Sequence, residues 1–323
     1  MKRTFHDILL IRSGALGDFL FSLPAVEALR KAYSDARIEL MGHQEFVALA
    51  QRCRCADSIS SIDRAEVAAL FSRDAPVSSA LSRRLKQCDL VLAYLSDPDG
   101  VVQMRLRSLC SGMVVVFSPI LPAEWALHVV DYLLLPILTL GIAAENRQPT
   151  LVLPDEDRVT GHQLLAERGV DIARPVVAIH PGAGNPKKRW PAGEFARLAD
   201  SLARTCSVIL VSGPADANAT AEVLDMSQNS ARIVVLNELP LLAVAQVLSR
   251  CRLFVGNDSG VTHLAAALGV PAVGLFGPTN PVHWAPRSPF VRILCSSTGE
   301  MAAVSLSAVL KTAEELLGST SGG

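Results

Sequence analysis

"FVGNDSGVTHLAAALGVPAVGLFGPTNP", residues 254–281, runs from strand to helix and back to strand. An apolar run ends at Val255. Asn257, Asp258, Ser259 and Gly260 form a polar turn, and a helix begins near Val261. Gly269 stops that helix, and "PAVGLFGPTNP" opens another strand with its own loop. Such a unit belongs to a parallel sheet covered on both faces. In the turn, Ser259 can cap the helix and Gly260 lets a ligand approach backbone N–H groups, which makes a ready anion site. Asp258 can accept hydrogen bonds from sugar hydroxyls, and His263 in the first helical turn can donate to a phosphate oxygen. An ordinary helix cap with a surface histidine fits the same residues.

The same rhythm extends upstream. "RPVVAIHPGAG" holds a strand over Val176–His180, "EFARLADSLA" a helix, and "SVILVSGPAD" another strand. "LPLLAVAQVLSRC" is helical and "RLFVGNDSG" returns to strand. An earlier series has strands at Ile8–Ile11, Arg37–Met41, Leu90–Tyr94 and Met113–Phe117. Helices at Ser22–Tyr33, Gln44–Gln51, Leu81–Gln87 and Val101–Leu109 alternate with them. Between the two series, "PTLVLPDEDRVTGHQLLAERGVDIARP" is rich in proline and charge. It reads as a linker with a bridging helix, at about residues 150–172. The expected fold class is α/β: two Rossmann-like, doubly wound parallel-sheet domains, residues 1–154 and 155–323, facing each other across a cleft. A last helix, about Val304–Leu317, is expected to pack back on the first domain, and the tail "GSTSGG" is low in complexity.

Ligands in parallel α/β sheets bind beyond the carboxyl ends of the strands, where these loops lie. "HPGAGNPKKRWP", residues 180–191, combines Gly182 and Gly184 with the cations Lys187, Lys188 and Arg189. A cation over a glycine loop suits a diphosphate, and a solvated basic turn is the plainer alternative. In "SGPADAN", residues 212–218, Asp216 can hold a ribose hydroxyl or cap the next helix. "ILLIRSGALGDFLFSLPAVEALR", residues 8–30, has a glycine turn at Gly14 and Gly17 that would suit a phosphate. Asp18 stands at the helix start, where a carboxylate would repel that phosphate.

Half of the 323 residues are hydrophobic and only 5% aromatic, so the core is built of Ala, Val and Leu. The 30 basic and 31 acidic residues leave a formal charge of −1, which argues against a general nucleic-acid binder. Seven scattered cysteines show no Cys-x-x-Cys spacing and read as reduced thiols. No secretory signal is apparent. "VVDYLLLPILTLGIAA", residues 129–144, reads as a buried helix, too interrupted by Asp131 and Pro136 to span a membrane. Its apolar face is the part that could meet a membrane surface. Gly14-x-x-Gly17 lacks full dinucleotide-binding spacing, and no P-loop, metal-ligand cluster or nucleophile elbow occurs.

Three motifs in order, "GALGDFLFSLPAVEALR", "HPGAGNPKKRWP" and "NDSGVTHLAAALGVPAVGLFGPTNP", resemble glycosyltransferase family 9, the ADP-heptose:lipopolysaccharide heptosyltransferase-like enzymes. "LKQCDLVLAYL" and "HVVDYLLLPILTLGI" agree more weakly, and the likeness spans almost the whole chain. It implies a GT-B enzyme that inverts the anomeric carbon without a metal ion or other cofactor. The nucleotide-sugar, ADP-heptose, would lie in the C-terminal domain and a lipopolysaccharide-precursor acceptor in the N-terminal one. Asp18 matches the catalytic base, and Lys188 the lysine on the donor phosphates. Asp258, Ser259, Gly260, Val261 and His263 match the donor loop, with N–H groups at Gly260 and Val261. Gly14, Gly17, His180, Gly182, Gly184 and Asp216 complete the expected donor set. The chain departs from the pattern at Phe19-Leu20-Phe21, after Asp18, and at Asp216, the acid nearest the ribose position. An Arg-rich part of the first domain (Arg52, Arg54, Arg64, Arg73, Arg83, Arg84) can meet a phosphorylated acceptor or simply be solvated.

The expected reaction is therefore heptose transfer to an inner-core sugar, in the cytoplasm or peripherally at the inner face of the inner membrane. Another nucleotide-sugar, another glycan or a protein acceptor would use the same chemistry. A nucleotide-sugar epimerase would share the fold but need no acceptor. A catalytically silent binding protein would have no use for Asp18 and Lys188.

Overall fold

Every strand pairing in the protein's computed structural model, which describes residues 4–319, is parallel. The chain divides between Arg147 and Gln148 into two units. The first carries β1 (Asp7–Arg12), β2 (Arg37–Gly42), β3 (Ser58–Ser61), β4 (Leu90–Tyr94) and β5 (Met113–Phe117), in the order β3-β2-β1-β4-β5. The second carries β6 (Val176–His180), β7 (Ser207–Ser212), β8 (Ile233–Asn237), β9 (Leu253–Asn257), β10 (Ala272–Phe276) and β11 (Val291–Cys295). Their order is β11-β10-β9-β6-β7-β8. In both units the first strand lies inside the sheet. The chain winds to one edge, then returns to the other side of that first strand. The reversals fall between β1 and β4 and between β6 and β9, and crevices at such points receive ligands.

The strands flanking these points are continuous apolar runs because helices cover both faces. Ile8, Leu9, Leu10 and Ile11 of β1 are buried, as are Val177, Ala178 and Ile179 of β6. Two helices follow β1, Leu16–Leu20 and Leu23–Ala32. The predicted helix over 129–144 is instead two short ones, Val129–Leu133 and Leu135–Thr139. Pro136 causes the break: it has no N–H to continue the ladder, and its ring crowds the preceding turn. Among the described residues no helix is long and apolar enough to cross a membrane.

The bridging helix, Asp155–Glu167, packs against Leu241–Leu248 of the second unit, where Gln246 Nε2 donates to the buried Asp157 Oδ1 at 2.6 Å. Just before it, Leu151 N–H donates to Ala267 O of the same unit at 2.8 Å. In the final helix, Leu306–Ser319, the residues Val309, Ala313 and Leu316 belong to the core of the second unit, with Val177, Val255 and Leu275. Residues 320–323 of the low-complexity tail lie outside the described residues.

Candidate functional site

In the second unit, the loops after β6 and β9 meet at the point of reversal. Asn257, the last residue of β9, is fully buried and ties them together. Its Oδ1 accepts from Trp190 N–H at 3.0 Å, and its Nδ2 donates to Pro181 O at 2.9 Å. Trp190 is a second anchor: the indole donates to Val304 O at 3.0 Å and its ring meets Phe195 edge-on. Between these fixed points Arg189 clamps the glycine loop through Nε and Nη2, at 3.2 and 3.1 Å from Ala183 O. Asn185 caps a short turn over Pro186–Lys188 by accepting from Lys187 N–H at 3.0 Å. Lys188 is thereby presented on a braced turn.

Its ammonium donates to Asp258 Oδ2 at 2.7 Å. The Asp258 side chain is only 7% exposed, against 30% for Lys188. Burial alone would push the Asp258 carboxyl up. Hydrogen bonds from His263, Lys188 and Thr279 outweigh that and hold it at about 2. His263 Nε2 stands 3.6 Å from Oδ1. Asp258 is followed by Ser259, whose Oγ caps the helix Gly260–Ala267 by accepting from Thr262 N–H at 3.4 Å. Thr262 Oγ1 in turn donates to Asn257 O at 2.5 Å. The N–H groups of Gly260 and Val261 occupy the first helical positions and have no intrahelical acceptor. The Lys188–Asp258 pair thus sets an ammonium beside an open helix N-terminus, an arrangement suited to a diphosphate.

A second pair lies at the ends of β6 and β7. His180 is buried, and its Nδ1 lies 2.9 Å from Val211 O. A carbonyl only accepts, so Nδ1 carries the proton. Burial lowers the ring's pKa below the ordinary imidazole value. The acceptor Nε2 of the neutral ring faces Asp216 Oδ2 across 4.0 Å. A ligand hydroxyl is the kind of donor that two neighbouring acceptors can share. Asp216 rests on Gly182 so closely that a Cβ there would lie 2.0 Å from Asp216 Oδ1. Asp216 also accepts from Gly213 N–H at 3.3 Å, so it caps as well.

In the first unit, the loop after β1 wraps a carboxylate. Gly14 has φ +106°, and a Cβ on it would meet Asp18 Oδ2 at 3.0 Å. Ala15 N–H donates to the same Oδ2 at 3.1 Å, so Asp18 closes its own helix start. Arg12 Nε donates to Asp18 O at 3.1 Å, and its Nη2 lies 3.5 Å from Asp18 Oδ1. The Asp18 side chain remains 40% exposed.

The second unit therefore assembles Lys188, Asp258, Ser259, Gly260, Val261 and His263 at one reversal point, with His180, Gly182 and Asp216 along the same strand ends. Gly184 is exposed in the glycine loop. Gly14 and Gly17 stand with Asp18 in the first unit, and Gly17 is buried within the helix Leu16–Leu20. His263, expected to meet a phosphate, is directed to Asp258. Asn257, Thr279 and Arg12 do structural work that the sequence motifs left unassigned. A charged residue closing the apolar run of β1 was the available signal for Arg12. Among the described residues no group of three or more His, Cys, Asp or Glu side chains is placed to hold a metal ion.

The family model of glycosyltransferase family 9 (heptosyltransferase) matches residues 105–313. The chain is 24% identical over 300 residues to lipopolysaccharide heptosyltransferase 3 of Escherichia coli, covering 84% of each chain. In fold it resembles a glycosyl transferase of family 9 from Veillonella parvula, with TM-score 0.83, 21% identity and 99% of both chains covered. It also resembles ADP-heptose lps heptosyltransferase II of E. coli, with TM-score 0.79, 22% identity, and 97% of this chain and 99% of that one covered.

Proposed function

From the premise that the chain belongs to glycosyltransferase family 9, and is a glycosyltransferase, we propose that it transfers heptose from ADP-heptose to an inner-core sugar of lipopolysaccharide. The transfer inverts the anomeric carbon and uses no metal ion. The names of the relatives support heptose, ADP-heptose and lipopolysaccharide as sugar, donor and acceptor class. The observation that carries the donor assignment is the Lys188–Asp258 pair beside the open N-terminus of the helix Gly260–Ala267.

In this reading the second unit holds the donor. Lys188 and the N–H groups of Gly260 and Val261 bind the diphosphate. Asp216 and the neutral His180 share a ribose hydroxyl. The first unit supplies the base. An acceptor hydroxyl attacks the anomeric carbon, and its proton passes to the Asp18 carboxylate. The bond to the diphosphate breaks on the opposite face, and ADP departs. Negative charge grows on the leaving oxygen, where the ammonium and the helix N–H groups stabilise it. These groups take the part that a divalent cation plays in other phosphate-leaving reactions. The acceptor is met in the cytoplasm, at the inner face of the inner membrane.

A thermal-shift screen tests the donor. ADP and ADP-heptose should stabilise the protein by about 2.7 kcal/mol at a hundredfold excess over Kd. Stabilisation by GDP-, UDP- or dTDP-sugars without ADP would replace the assigned donor. Product analysis tests the rest: ADP and a glycoside of inverted configuration should form only with acceptor present. Isomerised donor without acceptor would make the protein an epimerase.

A further inference from the structure

We propose that Arg12 is a positioning residue of the transfer: its guanidinium, buried at the end of β1, holds the Asp18 loop and aims the Asp18 carboxylate at the acceptor hydroxyl. The proposal rests on the reading of Asp18 as the base. Arg12 is the only charged residue in β1 after the opening Asp7, and its side chain is 4% exposed. Burying a guanidinium is costly unless partners compensate it. Among the described residues, its only ion pair is with Asp18. Tyr94, its register neighbour on β4, spends its hydroxyl on Leu133 O at 2.6 Å. The compensation therefore comes from the Asp18 loop.

The grip has two points. Nε donates to the Asp18 backbone carbonyl at 3.1 Å, and Nη2 addresses Oδ1 at 3.5 Å. A planar fork reaches both in different directions, which a lysine ammonium cannot do. Oδ2 is meanwhile held by Ala15 N–H at 3.1 Å. Oδ2 is thus held by a backbone N–H and Oδ1 faces the guanidinium, while 40% of the side chain stays open to solvent. A base held this way is oriented before substrate arrives.

The test is a double-mutant cycle on turnover. ADP-heptose is the donor, heptose-deficient lipopolysaccharide the acceptor and ADP release the readout. Arg12→Met should lower kcat by about 10²-fold, the scale of a misplaced catalytic group. Donor KM and calorimetric ADP affinity should stay near wild type. Arg12→Lys should recover part of the loss. In Asp18→Asn the carboxylate is gone, so adding Arg12→Met should slow the reaction by no more than about twofold. Multiplied losses in the double variant, or wild-type kcat in Arg12→Met, would overturn the positioning role. If Arg12→Met fails to bind ADP or to melt cooperatively, Arg12→Lys decides: reduced kcat with intact ADP affinity supports the role, and unchanged kcat overturns it. Retained turnover in Asp18→Asn alone would remove the base itself, an outcome distinct from the others.

Discussion

Each unit carries an acid just beyond the innermost strands of a parallel sheet, and the two acids are held in opposite ways. Asp258 is 7% exposed and receives hydrogen bonds from Lys188, His263 and Thr279. Asp18 is 40% exposed and is addressed by one backbone N–H and one guanidinium. Asp258 is thus buried under its donors, while Asp18 is left open to solvent, as the proposed base requires. A carboxyl held at about 2 is a weak base, and Asp258 pairs with the Lys188 ammonium beside it. The same turn chemistry, an acid in a glycine loop before a helix, is thus built in two ways.

Removing each acid should sharpen that contrast. The largest effect is expected at Asp18. Asp18→Asn keeps an acceptor for Ala15 N–H but cannot take a proton, so kcat should fall about 10²–10⁴-fold with little change in melting temperature. Lys188→Ala comes next. It should weaken donor binding and turnover together, by roughly 2–4 kcal/mol in transition-state terms. Normal affinity with normal kcat would detach Lys188 from the diphosphate.

Asp258→Asn should act mainly on stability and on the placing of Lys188. The folded carboxyl is depressed from 3.8 to about 2, so the group stabilises the fold at pH above its unfolded value. At neutral pH that amounts to about 2 kcal/mol. The stability gap between wild type and Asp258→Asn should narrow as pH falls from about 4 toward 2. A gap independent of pH, measured by urea unfolding, would show that the depressed carboxyl is not its source. The smallest effect is expected from EDTA, which should leave turnover unchanged. Loss of turnover that Mg²⁺ or Mn²⁺ restores would add a metal to the donor site.

The sequence made the inner strands and their loops legible because both faces of those strands are buried. Ile8–Ile11, Val176–Ile179 and the strand before Asn257 read as unbroken apolar runs. Of the four edge strands, only β5 (Met113–Phe117) was read with its bounds; the other three were harder to see. β3 is Ser-Ile-Ser-Ser and only half-buried, and β8 and β11 are buried at some positions and open at others, so none shows a clear pattern. Motif spacing pointed to Lys188 and Asp258, yet not to their mutual contact, which joins residues 70 positions apart. Asn257 and Arg12 act through partners rather than through a motif. Their roles become visible only when Trp190 and Asp18 are seen to meet them. His263 was placed in the first helical turn by the sequence, and the fold adds a contact with Asp258 that spacing alone does not show.

In the proposed reaction the base belongs to the first unit and the donor to the second. This is tested most directly by titrating ADP calorimetrically into Asp18→Asn and Lys188→Ala, beside their turnover numbers. Asp18→Asn should bind ADP within a few-fold of wild type while its kcat collapses, and Lys188→Ala should lose both. Weak ADP binding in Asp18→Asn, or wild-type turnover in it, would contradict that division of labour.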